Sequence, residues 1–333
     1  MKGRVLLLAA ACAGRGQTPA DIRVDVNLVT VACSVSDRNG APAKNLRREN
    51  FALFDNGQPR DIRYFWQETD LPLTVGLIVD VSGSQIGVIR KHRETITQFL
   101  AQVIGPQDRA FLVTVGPEVK LITDLTGSIE GLRAGVAAIG VGGRAGTQLG
   151  EPCRGPGAPH RRWHLIPGCG GTALWNGVYA AARLKMKPVT GRKALIVLSD
   201  GMDTGSFHSL TDAIEAAQSA DTLVYTIRSL SPVLMISPLA MARAAASTGM
   251  RRLAAETGGQ AFPSAHDPTA VFTEIENELR NLYVLGFTPP EDARDGKFHK
   301  LEVKAVNAEV TIRARRGYAA SSSFGAPAAA RAW

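Results

Sequence analysis

The sequence predicts an α/β protein in which a doubly wound, mostly parallel sheet is flanked by a small β-rich unit built jointly by the N- and C-terminal segments. Three observations predict it. Thr74-Val75-Gly76-Leu77-Ile78-Val79 and Lys193-Ala194-Leu195-Ile196-Val197-Leu198 are nearly continuous apolar runs, as strands covered by helices on both faces require. Segments with helical apolar spacing alternate with such runs. Before and after this block the texture changes to short alternating stretches broken by turn residues. A chain of 333 residues has room for one sizeable core and a smaller accessory unit.

The first element is not structural. Met1-Lys2-Gly3-Arg4 precedes an apolar run over residues 5–13 and a more polar stretch over 14–20, the order of a secretory signal. Cys12 follows Ala9-Ala10-Ala11, which loosely resembles a lipoprotein processing site, although the usual Leu three residues before the Cys is missing. Residues 1–20 therefore read as a signal peptide or lipoprotein signal, with a membrane tether through Cys12 as one outcome. No other stretch approaches the apolar length of a membrane span. The expected location is exported: periplasmic, in the cell envelope or secreted.

Residues 21–69 read as a β-rich N-terminal unit. Arg23-Val24-Asp25-Val26-Asn27-Leu28-Val29-Thr30-Val31 has a half-buried strand's period of two, and Asn39-Gly40 and Asn56-Gly57 are turn signals. Residues 70–288 read as the α/β domain. After the strand at 74–79, Ile86, Ile89, Ile96, Phe99, Leu100, Val103 and Ile104 fall at roughly helical spacing, and the pattern stops at Gly105-Pro106. Residues 110–115 and 119–125 flank Gly116-Pro117 as two strands joined by a turn, and Ser128 is placed to cap the next helix. Further on come a helix over 173–186, the strand at 193–198, another helix, and a strand over 222–227. Residues 239–257 read as a helix, with Gly249 as a candidate interruption and Gly258-Gly259 as its end. A short strand at 260–262 and a last helix over 268–281 complete this block. Residues 289–318 form a β-rich C-terminal segment, preceded by a strand at 283–287, with further strands over 299–305 and 309–314. The Ser-, Ala- and Gly-rich residues 319–333 read as a disordered tail.

The formal charge of +8 comes from Lys and Arg spread along the chain with Asp and Glu interleaved. No basic stretch alternates with aromatics as a base-stacking surface would require, so nucleic acid is not an expected partner.

The chemistry gathers at strand ends. Ligands of open α/β sheets bind outside the carboxyl ends of the strands, near the switch point, and Asp80 and Asp200 both follow buried strands. Asp80-Val81-Ser82-Gly83-Ser84 adds two hydroxyls in the turn before a helix. Hard oxygen donors grouped this way suit magnesium or another hard divalent cation, with water in the remaining positions. Asp-x-Ser-x-Ser alone is short enough to occur by chance at a polar turn, and its weight here comes from Thr172 and Asp200 at the expected element ends. Asp203 reads as a loop or cap residue rather than a ligand.

Asp80 to Ser84, Gly170-Gly171-Thr172 and Ser199-Asp200-Gly201 resemble the three loops of the von Willebrand factor A metal-ion-dependent adhesion site. The resemblance implies a metal site of Asp80, Ser82, Ser84, Thr172 and Asp200. Ser82 and Ser84 would bind the cation directly, Thr172 directly or through water, and Asp80 and Asp200 mainly through water or hydrogen bonds. The implied metal is Mg²⁺, with Mn²⁺ or Ca²⁺ as substitutes. The flanks are similar to a group of bacterial von Willebrand A-related proteins described as acidobacterial-type. The matching segments are Arg23 to Val31, Glu49-Asn50-Phe51, Asn56-Gly57, Tyr283-Val284-Leu285-Gly286-Phe287 and Arg313-Ala314-Arg315-Arg316-Gly317-Tyr318.

Two carboxylates formally balance a divalent ion, but if the direct ligands are neutral hydroxyls and waters the metal stays electrophilic and favours one more anionic oxygen. The expected function is therefore non-enzymatic: binding of a partner protein that supplies an acidic residue to a shared metal. A structural envelope component whose metal serves only stability is the second reading. A magnesium-dependent phosphoesterase is the third, but Ser82 stands where the common Asp-x-Asp arrangement has its second carboxylate. No Gly-x-Ser-x-Gly elbow surrounds Ser82 or Ser84, which argues against a serine nucleophile.

Residues 140–170, rich in Gly, Pro and Arg, form an irregular insertion just before Thr172. Cys153, His160, His164 and Cys169 within it could bind zinc, Cys153 and Cys169 could form a disulfide, or the stretch is a plain loop. Cys33, within a β segment, reads as a small buried hydrophobe.

Overall fold

A computed structural model describes residues 28–68, 71–85, 87–140, 147–148, 171–229, 240–263, 268–290, 293 and 295–320. The signal with Cys12, residues 23–27 of the first predicted strand, Gly170, the four Cys and His residues of the insertion, and residues 321–333 of the predicted tail lie outside the described residues.

In chain order, β1 (Val29–Ser36), β2 (Phe51–Asp55), β3 (Gln58–Arg60) and β4 (Tyr64–Glu68) precede β5 (Leu73–Asp80) and α1 (Ile89–Val103). Then follow β6 (Arg109–Val115), β7 (Val119–Thr126), α2 (Ile129–Ala138), β8 (Thr147–Gln148), α3 (Leu174–Ala180) with a π-helical continuation (Ala181–Met186), β9 (Arg192–Ser199), α4 (Leu210–Ser219) and β10 (Leu223–Arg228). The chain continues through α5 (Ala240–Thr257), β11 (Ala261–Phe262), α6 (Pro268–Leu279), β12 (Leu282–Phe287), β13 (Phe298–Ala305), β14 (Thr311–Ala314) and β15 (Gly317–Ala319).

The fold class is the predicted one. Among the described residues the main sheet has seven strands in the order β11-β10-β9-β5-β6-β7-β8, with β11, β10, β9, β5 and β6 mutually parallel and β7 antiparallel to β6. Helices cover both faces. Side chains of α1, α2 and α6 close one core around Leu77, Ile96, Leu132 and Ile275, and α3, α4 and α5 close the other around Ile78, Leu174, Ala217 and Leu253. Every residue of β5 is buried, which is why its sequence shows no polar alternation. β5 and β9 are neighbours, and the chain leaves β5 through α1 toward β6 on its other side. The switch point lies between β5 and β9, and Asp80 and Asp200 stand at their ends.

The terminal segments pack together. β14-β1-β12-β4 and β15-β13-β2-β3 form two antiparallel four-stranded sheets around a core of Val31, Cys33, Leu53, Tyr283, Leu285 and Leu301. Asn56 and Gly57 both take positive φ (49° and 78°), as the tight turn joining β2 to β3 demands. Cys33 is fully buried, and desolvation pushes its thiol up. β12, placed before a sequence boundary at 288, hydrogen-bonds to β1 and β4, so the C-terminal contribution to the small sheet begins at Leu282. Its residues are buried on both faces, with Tyr283, Leu285 and Phe287 in the accessory core and Leu282 in the core of the main domain. A strand that seals two units reads in sequence like a strand of the larger one.

Candidate metal centre

Three loops meet at the carboxyl edge of the main sheet, and backbone hydrogen bonds tie them to one another. The first carries Ser82 and Ser84. Val81 N–H donates to Val115 O at 2.8 Å, and the chain then makes a single turn of 3-10 helix over Gly83–Gln85 before α1. The second carries Thr172, where Ala173 N–H donates to Gly116 O at 2.8 Å. The first two loops thus hang on consecutive residues at the end of β6. The third loop, after β9, clasps the second: Thr204 and Gly205 N–H donate to Thr172 O at 3.0 and 3.1 Å, and Thr172 N–H donates to Thr204 Oγ1 at 3.1 Å.

Two glycines make this clasp fit. Gly171 has φ +90°, and a Cβ there would stand 1.8 Å from Thr204 Oγ1. Gly201 has φ +86°, and its Cβ would lie 2.9 Å from Ala246 O and 2.8 Å from Met250 Sδ. Asp203 has the cap role expected of it. Its Oδ1 accepts from Leu174 N–H at 2.8 Å, Trp175 N–H at 3.3 Å and the Ser206 hydroxyl at 2.6 Å, satisfying the start of α3 from the neighbouring loop.

Asp80 is wholly inaccessible to solvent, and Ser82, Thr172 and Asp200 are buried. Asp80 Oδ1 accepts from Ser82 N–H at 2.9 Å, and Oδ2 accepts from the Ser199 hydroxyl at 2.7 Å. Ser199 Oγ in turn accepts from Gly201 N–H at 3.0 Å, and Asp200 Oδ1 accepts from Met202 N–H at 3.0 Å. The Ser82 and Ser84 hydroxyl oxygens are 3.1 Å apart. Burial pushes Asp80 up from 3.8 to about 6, and the nearby Asp200 charge adds to the rise, while hydrogen bonds from Ser82 and Ser199 hold it down.

The donor chemistry fits a hard divalent cation. Asp80, Asp200, Ser82, Ser84 and Thr172 offer only oxygen. Asp80 is a buried carboxylate beside another carboxylate, and the donors on its two oxygens, a backbone N–H and a hydroxyl, are uncharged. A positive ion would remove that imbalance. No group of three or more His, Cys, Asp or Glu side chains able to hold a metal occurs among the described residues, so hydroxyls must carry part of any coordination here.

Residues that sequence reasoning gave no role stand directly behind this set. Ser199 is part of the third motif, but its bond to Asp80 follows only from the pairing of β5 and β9. Gln85, fully buried, donates from Nε2 to Ser84 Oγ at 3.3 Å and accepts at Oε1 from the Ser229 hydroxyl at 2.8 Å. Ser229 Oγ also lies 2.8 Å from His92 Nε2. Burial, aided by the Lys91 charge, lowers His92 from 6.5 to about 4 and keeps its ring neutral at neutral pH.

No family model matches the chain, and no curated protein matches it. Solved structures with a similar fold include the conserved hypothetical protein BatB from Bacteroides thetaiotaomicron, at 13% identity and a TM-score of 0.44, over 63% of this chain and 100% of that one. Proximal thread matrix protein 1 from the mussel byssus, with a zinc-occupied MIDAS motif, shares 11% identity at a TM-score of 0.45, over 68% of this chain and 49% of that one. The SpRpn10 VWA domain shares 12% identity at a TM-score of 0.36, over 61% of this chain and 94% of that one. Overlaps of this extent carry no functional weight. The sheet order and the three loops at its carboxyl edge are what the main domain shares in outline with the von Willebrand factor A fold that the sequence resembles.

Proposed function

We propose that this chain is an exported, non-enzymatic binding protein that engages a partner protein through a divalent cation held by Asp80, Ser82, Ser84, Thr172 and Asp200. The observation that carries this reading is the buried Asp80 carboxylate, with Asp200 beside it and uncharged donors, Ser82 N–H and the Ser199 hydroxyl, on its oxygens. Mg²⁺ is the expected ion, with Mn²⁺ or Ca²⁺ as substitutes. Bound there it would supply a Lewis-acidic position that an outside carboxylate can fill. Asp80 and Asp200 neutralise the ion, and Ser82, Ser84 and Thr172 present uncharged oxygen. The remaining demand for an anionic ligand is met by an Asp or Glu of the partner. Export rests on the N-terminal signal pattern, and no helix among the described residues is long and apolar enough to cross a membrane.

The test is capture of partners from the native envelope by the full chain, with and without chelator, and by Asp80→Ala. Capture should disappear in chelator and in the variant. Capture that survives both would sink the adhesion reading, and metal uptake without any metal-dependent capture would favour the purely structural role. Turnover of a generic phosphoester that is abolished by Asp80→Asn would replace adhesion with phosphoryl chemistry.

A further inference from the structure

We infer that Gln85, held by Ser229, is a positioning residue that aims the Ser84 hydroxyl oxygen at the cation. The inference rests on the metal-site reading and follows from counting protons along a buried chain of hydrogen bonds.

Ser229, just past β10, is fixed beside β9 because its N–H donates to Ser199 O at 2.8 Å. Its hydroxyl has one proton, and Gln85 Oε1, 2.8 Å away, can only accept it. His92 Nε2, also 2.8 Å from Ser229 Oγ, must therefore be the protonated ring nitrogen and donate. With Oε1 turned to Ser229, the Gln85 amide directs Nε2 at Ser84 Oγ, where it donates over 3.3 Å.

Ser84 Oγ has then given one lone pair to Gln85. Its proton goes to Ser82 Oγ, 3.1 Å away, and so is held inside the pair of hydroxyls. Ser84 Oγ is left with one free lone pair, and its proton is turned to Ser82 and away from a cation. The order of the chain is what matters. Without Gln85, the Ser84 O–H is free to turn outward and present its proton to the ion. Gln85 has no solvent-accessible surface, so water does not stand in for its N–H.

Isothermal titration of Mg²⁺ and Mn²⁺ into the chelator-stripped full chain, its Gln85→Met and Ser229→Ala variants and the double variant tests this. Urea unfolding in chelator reports on stability separately. Each single variant should bind both ions about tenfold more weakly than the wild type, the usual scale for removing a group that orients a metal ligand. Because Ser229 acts through Gln85, the double variant should lose no more than Gln85→Met alone, within about twofold. Affinities within about twofold of wild type in either single variant, or losses that multiply in the double variant, would overturn the inference. A merely structural role would lower stability in chelator and leave the affinities alone. If Gln85→Met does not fold, Ser229→Ala decides by the same criterion. A wild type that takes up no metal refutes the site itself, whereas wild-type uptake with unaltered variants refutes only the positioning role.

Discussion

Asp80→Asn should make the metal-free protein more stable and the metal-loaded protein weaker. Asp80 sits with no solvent exposure, and burial, reinforced by the Asp200 charge, raises it from 3.8 to about 6. In the unfolded chain the group titrates near its ordinary value. Between the two pH values the folded state holds a proton that the unfolded state has lost, so stability falls as pH rises through this window. Above it the full cost is present, and the gap corresponds to about 3 kcal/mol. Asn is neutral at every pH and keeps an acceptor for Ser82 N–H, but it must re-pair with the Ser199 hydroxyl, which offsets about 1 kcal/mol of the gain. In chelator near pH 8, urea unfolding should therefore show the variant more stable by about 2 kcal/mol, and near pH 4 the advantage should vanish. Saturating Mg²⁺ should stabilise the wild type and leave the variant unchanged. A variant less stable than wild type in chelator near pH 8, or a difference that does not vary with pH, would refute the electrostatic reasoning.

His92 should give the opposite pH trend. It is lowered from 6.5 to about 4, so as pH falls through that window the unfolded chain binds a proton the folded chain refuses, and stability drops by about 3 kcal/mol. Urea midpoints near neutrality and near pH 4.5 should diverge more for the wild type than for His92→Gln, and equal divergence would contradict this. Gly201→Ala forces a side chain into positive φ against Ala246 O and Met250, so thermal unfolding in chelator should report a loss of about 2 kcal/mol or more. A loss below about 0.5 kcal/mol would mean the loop yields easily. Asp203→Ala removes the cap on α3 and should cost about 1–2 kcal/mol in urea unfolding, with a smaller effect on Mg²⁺ affinity than Asp80→Ala. Equal losses of affinity would place Asp203 among the ligands.

Much of the fold is legible because burial on both faces writes itself into composition. β5 and β9 appear as apolar runs, and the turn at Asn56-Gly57 appears because few other residue pairs accept its backbone. The same logic hides the role of β12, whose apolar run is equally continuous because it seals one unit against the other. Gly249 does not interrupt α5. A Cβ there would lie 3.2 Å from the Trp175 ring, so the residue leaves room for an aromatic side chain and does not break the helix. At the site, the motif residues are legible because short spacing brings them to loop ends. The groups behind them are not: Gln85 is a lone amide, and Ser229 reaches it from 144 residues away. β15 carries no strand signal of its own in the sequence, and only its pairing with β13 marks it as a strand.

Whether residues from three loops form one metal centre is decided by Mn²⁺ titration of the chelator-stripped full chain with paramagnetic resonance detection of the bound ion. The wild type should take up a single tight equivalent, and Asp80→Ala, Thr172→Ala and Asp200→Ala, one from each loop, should each abolish or greatly weaken it. Uptake that is unchanged in all three variants would mean that these loops do not share a metal.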